Sequence, residues 1–382
     1  MGRLRLFATV INGLEDVAAS EVERLTGRPA SADVGKIFFE ADEDAVFKLN
    51  FCSRVLSRVM ILLYRGRMNP ISLDSIYSAA RSIDYTGLID PDQSFAVRAR
   101  RSGEHDFTSV DVASRVGGAV IDSYLRDAGR RLKVNLENPD VEFICIVRGD
   151  EFIMGLNTSG EPLHKRHYRV YNHPAALNTT IASAMLMLSG WDGREPLLDP
   201  MCGGGTIPVE AALMARRIPP GTFRRESFAF LRLRFLGPEG FRRIVEKHLS
   251  QASDEAFPIY GLDLNQRYIE GAIKNSEAAG VRDTITFRVG DALRLRGTID
   301  FEPDYVVTNP PYGLRMRRGE LRTFYGRFLE SLREVAEGSI LTLITAARRK
   351  FTEAAEDKGL EVIWRRDILH GEIRATIFKC II

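Results

Sequence analysis

The chain has 382 residues, 45% hydrophobic and 27% charged, an ordinary globular composition long enough for two or three domains. A formal net charge of +2 excludes any argument for a nucleic-acid partner from global electrostatics, so such a partner would need a local basic patch. No apolar run approaches the ~20 residues that span a bilayer, and Leu4, Leu6, Ala8 and Val10 alternate as a strand rather than forming a leader's apolar core; a cytoplasmic protein off the membrane is expected.

In chain order, Leu4 to Val10, Leu14 to Arg24, Lys36 to Glu40, Asp44 to Phe51 and Val55 to Tyr64 read as strand, helix, strand, helix, strand. Residues 1–65 are thus a small α+β unit. A second unit, 66–160, has a strand at Phe95–Arg100, an amphipathic helix from Ser109 to Asp127 capped by Thr108 or Ser109, and a strand at Val141–Val147. Asp150 marks a hairpin into Phe152–Leu156. Residues 161–175, rich in His, Arg and Tyr and closing near Pro174, read as a hinge. In residues 176–382, strands at Leu197–Leu198, Ile259–Leu262, Thr284–Val289, Tyr305–Val307 and Ser339–Ile344 alternate with helical stretches, the pattern of a doubly wound parallel sheet in an α/β domain. Leu360–Arg365 and Glu372–Ile381 read as an antiparallel hairpin at its edge.

The four cysteines and six histidines are scattered. Cys52, Cys145, Cys202 and Cys380 give neither a Cys-x-x-Cys pattern nor a disulfide framework, and His164 and His167 lack nearby acidic or thiol partners, so no metal is expected.

The segment Asn309-Pro310-Pro311-Tyr312-Gly313 follows the strand at Tyr305. The Asn309 side-chain oxygen and the Pro310 carbonyl are two acceptors in a stiff turn, which suits an exocyclic amine. Tyr312 adds a flat face for stacking. Such a site takes a single-stranded or flipped nucleotide; in isolation, the same five residues also fit an ordinary proline turn. Upstream, Asp199-Pro200-Met201-Cys202-Gly203-Gly204-Gly205-Thr206 ends one strand and opens a helix, and its glycines let the backbone approach a ligand. A dinucleotide fingerprint wants glycine where Pro208 stands. Asp263 ends the next strand, where a carboxylate suits a ribose diol, and Asp291, before Ala292, can accept from an adenine amine. Glycine loop, Asp263, Asp291 and Asn309 end four successive strands and converge on one edge.

Several stretches carry family resemblance. Phe95-Ala96-Val97-Arg98, Arg101-x-Gly103-x-His105-x-Phe107-x-Ser109, Asp111-Val112, Gly117 and Val134–Asp140 resemble the THUMP RNA-binding domain, and Leu163-x-x-Arg166-x-Tyr168-Arg169 is similar to the run that follows it. Leu49-Asn50 and Arg54 resemble the ferredoxin-like partner that precedes THUMP. His173–Thr180, Ala182-x-Ala184-Met185 and Asp199–Ala212 resemble the THUMP-containing guanine-N2 RNA methyltransferases over nearly the whole chain, with Gly204 where a serine is usual. The resemblance implies a C-terminal Rossmann-like class I methyltransferase domain using S-adenosylmethionine, with cofactor contacts from Asn178, Thr180, Asp199, Met201, Cys202, Gly203, Gly205, Thr206, Asp263, Leu264, Asp291, Ala292 and Asn309. Asn309, Pro310 and Tyr312 become catalytic, and Arg98, Arg100, Arg101, His105, Lys165, Arg166, Arg169 and Arg315 are candidates for RNA contact. The implied substrate is a guanosine 2-amino group in the tRNA acceptor stem, at nucleotide 6, methylated by a monomer. Ribosomal RNA is the alternative substrate, and a non-catalytic RNA-binding assembly factor the alternative of another class.

Overall fold

The computed structural model describes residues 3–311, 320–371 and 373–382. Tyr312 and Arg315 lie outside the described residues. The chain divides into two compact units, the first holding the chain through Thr9, Ala19–Leu163 and Arg224–Glu246, the second Val10–Ala18, His164–Phe223 and Lys247–Ile382.

In order along the chain, the first elements are β1 (Leu4–Thr9), α1 (Glu15–Thr26), β2 (Ala30–Asp33), β3 (Lys36–Ala41), α2 (Glu43–Cys52), β4 (Arg58–Arg67), α3 (Leu73–Arg81), β5 (Ser94–Ser102), α4 (Ser109–Ala128), β6 (Lys133–Val134), β7 (Val141–Arg148) and β8 (Glu151–Asn157). Their strands make one sheet in the order β2-β3-β1-β4-β8-β7-β5-β6. The join is the antiparallel β4–β8 ladder, running from Met60 opposite Asn157 to Arg67 opposite Glu151. Asp42 caps α2 by accepting from the Ala45 N–H at 3.1 Å, and Thr108 and Asp111 close a capping box on α4. Gly149, at φ 55°, and Asp150 make the two-residue turn between β7 and β8, which needs left-handed backbone.

Helix α3 and strands β2 and β6 go beyond the elements read from sequence. The α3 signal was present: Ser72 and Ser75 form a capping box ahead of Ile76 and Ala80, both buried. Strand β2 carries only Ala-Ser-Ala-Asp and shows no alternation; its pairing with β3 makes it a strand.

The second unit contains α5 (Thr179–Ser189), β9 (Leu197–Asp199) and α6 (Thr206–Ala215). After α7 (Pro238–Leu249), which ends in it, come β10 (Ile259–Asp263), α8 (Gln266–Ala278), β11 (Ile285–Val289), β12 (Tyr305–Thr308), α9 (Glu320–Ala336), β13 (Ile340–Thr345), α10 (Arg348–Asp357), β14 (Glu361–His370) and β15 (Ile373–Ile381). The sheet order is β11-β10-β9-β12-β13-β15-β14. The first five strands are parallel, and β15 and β14 close the sheet antiparallel, as the alternating strand and helix pattern predicts. Leu198, Val306, Leu341 and Leu343 are fully buried, as strands covered on both faces require. They pack with Tyr325 and Phe328 of α9 and Phe351 of α10, while α5, α6 and α8 supply the other helical layer.

Residues 224–246 lie between β9 and β10 in sequence but pack into the first unit, where Phe228, Phe230 and Phe241 gather around Phe47 and Phe51. No described helix is long and apolar enough to cross a membrane.

Candidate active site

The order β11-β10-β9-β12 places a topological switch between β9 and β12, where successive connections leave in opposite directions and open a crevice at the carboxyl edge. Every predicted strand-end residue in the described region reaches that edge. Asp199 ends β9, Asp263 ends β10, Asp291 and the buried Ala292 follow β11, and Asn309 and Pro310 follow β12.

The glycine loop is tied down on several sides. Its Cys202 N–H donates to the Leu262 carbonyl at 2.7 Å, and the Gly203 N–H donates to Asp263 Oδ2 at 3.0 Å. Asp263 Oδ1 accepts from the Asn265 N–H at 2.9 Å, so each carboxylate oxygen can accept a further hydrogen bond. Gly203 and Gly205 have φ of 52° and 78°, the left-handed region that favours glycine. A Cβ on Gly205 would come within 2.8 Å of the Ala272 Cβ in α8. Met201 donates its N–H to Asp199, Cys202 is buried with its thiol pushed up by burial, and Thr206 opens α6. Leu264 is 71% exposed beside Asp263, and Asp291 accepts from the Leu293 N–H at 2.9 Å.

Within the segment expected as a hinge, the residues from His164 onward pack as a strap on the second unit. Arg166 is 3% exposed and ion-paired at 3.3 Å with Glu210, which is fully buried in α6 and also accepts from Tyr168 and Ser183. Arg169 donates to the Leu177 carbonyl at 2.9 Å and to the Thr206 hydroxyl at 3.1 Å. The Asn275 amide accepts from the Tyr171 N–H and donates to the carbonyls of Tyr171 and Gly204. His173 packs over Gly203 and Gly204 and stands edge-on to Tyr268, with ring centroids 4.2 Å apart. Asn178 caps α5, accepting from the Thr180 N–H and hydroxyl, which engages those two predicted cofactor residues with each other.

At the β12 end the pattern reverses. The Asn309 Oδ1 atom is buried and has no hydrogen-bond partner among the described residues. Leaving a buried acceptor unpaired costs ~1–3 kcal/mol, so this oxygen marks a place where a donor belongs. One residue earlier, the Thr308 hydroxyl donates to Asp199 Oδ1 at 2.8 Å. Burial pushes the Asp199 carboxyl up to about 7, opposed by the Thr308 and Met201 donors and reinforced by the charge of Asp263.

The RNA-contact candidates fall into two kinds. Arg98, Arg100, Arg101 and Lys165 are exposed, Arg98 beside Glu142 at 3.1 Å. Arg101 donates to the Gly103 carbonyl and to His105 Nδ1, while His105 Nε2 meets the Gly149 carbonyl at 2.7 Å. Since a carbonyl only accepts and a guanidinium only donates, these bonds select the neutral Nε2–H tautomer. Both residues line a cavity of about 730 Å³ with Ser72, Asp74 and Phe107. Arg166 and Arg169, by contrast, are committed to protein partners inside the second unit, because their guanidiniums neutralise or bridge groups that the strap buries.

Sequence reasoning missed Thr308 and Asn275. An amide on the same helix face as the buried Ile269, Ala272 and Ser276 was the available signal for Asn275, since buried amides need partners.

A parallel sheet in this order, with an antiparallel closing hairpin, a glycine loop and acids at its carboxyl edge, defines a class I methyltransferase fold. The chain is 42% identical over 377 residues to the tRNA (guanine(6)-N2)-methyltransferase of Methanocaldococcus jannaschii, covering 97% of this chain and 98% of that protein. The like-named protein of Archaeoglobus fulgidus is 40% identical over 380 residues, covering 98% and 91%. The RMKL-like methyltransferase domain matches residues 166–375, the THUMP domain 71–157 and the RlmL ferredoxin-like domain 5–60. The crystal structure of SMU.472 complexed with SAH shares the fold, with a TM-score of 0.88 at 22% identity over 99% of this chain and 98% of that chain. This chain belongs to the family of RMKL-like methyltransferases that carry a THUMP domain.

Proposed function

We propose that the protein methylates the exocyclic 2-amino group of a guanosine in the acceptor stem of tRNA, at nucleotide 6, using S-adenosylmethionine. The buried oxygen of Asn309, which has no hydrogen-bond partner among the described residues, carries this reading. It sits at the switch-point crevice, one side of which is the glycine loop, and it lacks what an amine has to give. The names of the two archaeal relatives support tRNA and nucleotide 6, and the THUMP match over residues 71–157 supports an RNA substrate.

Bound S-adenosylmethionine supplies a sulfonium methyl group. The loop residues Gly203–Gly205 fit it through their close backbone approach, Asp263 through its free lone pairs toward a ribose diol, and Asp291 through an acceptor for the adenine amine. Leu264 gives an exposed apolar side chain beside them. Asn309 Oδ1 and the Pro310 carbonyl accept from the two amine protons as the nitrogen pyramidalises, so the acceptors strengthen their hold as charge develops. Tyr312 stacks on the flipped base. No strong base is required, because the ammonium formed on methylation is itself acidic, and rate comes from alignment and fixed acceptors. Arg98, Arg100, Arg101 and His105 contact RNA from the first unit, and residues 1–65, 66–160, 161–175 and 176–382 are taken as ferredoxin-like, THUMP, linker and catalytic segments.

The experiment is incubation of the full chain with radiolabelled S-adenosylmethionine and separate tRNA and ribosomal RNA fractions, followed by mapping of the labelled nucleotide. Label at the N2 of tRNA nucleotide 6 is expected. Label confined to ribosomal RNA, or absent from both, would overturn the assignment.

A further inference from the structure

The backbone ladder between β9 and β12 ends at the Leu198–Val306 pair, so nothing in the sheet itself fixes how β12 leaves toward Asn309 on that side. One side-chain bond continues the tie. Thr308 is fully buried and its hydroxyl donates across the switch point to Asp199 Oδ1 at 2.8 Å, while the same residue is paired through the backbone to Leu343 of β13. Asp199 is 1% exposed and is itself held by the Met201 N–H at 3.2 Å. The last residue of the strand is therefore gripped from both neighbouring strands immediately before the chain turns into Asn309-Pro310. We infer that Thr308 is a positioning residue for methyl transfer: through Asp199 it locks the end of β12 to the glycine loop and so holds the Asn309 acceptor oxygen where the amine must lie.

This inference rests on the proposed role of Asn309. A residue that aligns an acceptor without touching substrate alters turnover more than affinity, since misplacement of a reacting group acts on the transition state. The titratable groups facing Asp199 are Cys202 from its own loop and Asp263 from β10, and β12 presents the Thr308 hydroxyl. Removing that hydroxyl takes away a donor that favours the ionised carboxylate, so the carboxyl titrates at higher pH.

The test compares Thr308→Val, Thr308→Ser and Asp199→Asn in the full chain, with tRNA as substrate and Asn309→Ala alongside. For Thr308→Val, kcat is expected to fall on the order of 10-fold, with the tRNA KM and the S-adenosylmethionine Kd within about 2-fold and the acid limb of kcat moved to higher pH. Thr308→Ser restores both kcat and the limb, and Asp199→Asn flattens the limb. Thr308→Val with kcat within about 2-fold of wild type and an unmoved limb would overturn the inference. If that variant does not fold, an acid limb retained in Asp199→Asn overturns it instead. Full turnover in Asn309→Ala would sink the functional reading itself, whereas its loss beside an active Thr308→Val sinks only the role of Thr308.

Discussion

The glycine-loop side of the crevice and the Asn309 side solve opposite problems. On the first, backbone and side chain polar groups find protein partners: Gly203 meets Asp263, Gly204 meets Asn275, and Thr206 meets Arg169. On the second, a buried acceptor has no hydrogen-bond partner among the described residues, at the end of a gripped strand. Under the proposed function, the difference separates binding from chemistry. A rigid loop lets a ligand dock without ordering the chain, which preserves affinity, and an unsatisfied oxygen reserves its hydrogen bond for the reacting group.

The sharpest break of this contrast is Asn309→Ala. Turnover is expected to fall by ~10²–10³-fold, while calorimetric S-adenosylmethionine binding and tRNA binding stay near wild type; binding lost together with turnover would move Asn309 to the loop side. Gly205→Ala attacks that loop side. With φ at 78° and Ala272 in the way, it should cost at least ~2 kcal/mol of stability in denaturant melts and weaken cofactor binding; an unchanged midpoint would refute the close approach.

Asn275→Ala orphans the Tyr171 N–H and two carbonyls. A stability loss of ~1–3 kcal/mol is expected, with cofactor affinity reduced and tRNA affinity preserved, read by parallel titrations. A pH scan tests Asp199. Its carboxyl is raised by burial from an unfolded value near ~3.9 to about 7 in the fold, so its contribution is fully present below the lower value and is lost as pH rises through about 7. The cofactor-free protein should lose melting temperature from pH 5 to 7.5, with a shallower slope in Asp199→Asn. Gly204→Ala should do least. Its backbone needs no left-handed conformation, and the new Cβ would lie 3.1 Å from that of His173, so a cost under ~1 kcal/mol is expected in the same melts.

The parallel sheet was legible because its strands are short apolar runs, and the convergence of Asp199, Asp263, Asp291 and Asn309 was legible because each stands one or two residues past such a run. Periodicity says which way a side chain faces but not what it meets. Arg166 and Arg169 sit in a run of His, Arg and Tyr that reads as a basic surface, yet Glu210 and Thr206, which claim them, are about forty residues away along the chain and on a buried helix. Asn275 reaches Tyr171 across 104 residues, and Thr308 reaches Asp199 across 109. Arg224 and Arg234, ten residues apart in the chain, are likewise committed to protein groups: Arg224 brackets the carbonyls of Ser159, Glu161 and Pro162, and Arg234 pairs with Asp90 and Asp92. At Gly204, where the family usually has serine, His173 and the Asn275 amide pack against the loop.

The β4–β8 ladder and the stray segment Arg224–Glu246 bear on how this molecule can be taken apart. Residues 71–157 alone would carry β8 without β4, exposing a long row of unpaired backbone groups to any passing chain. A fragment ending before residue 224 would in turn strip Phe47 and Phe51 of Phe228, Phe230 and Phe241. The first unit is therefore not a portable cassette, and exchanging it between relatives calls for moving its sheet and its downstream aromatic plug together.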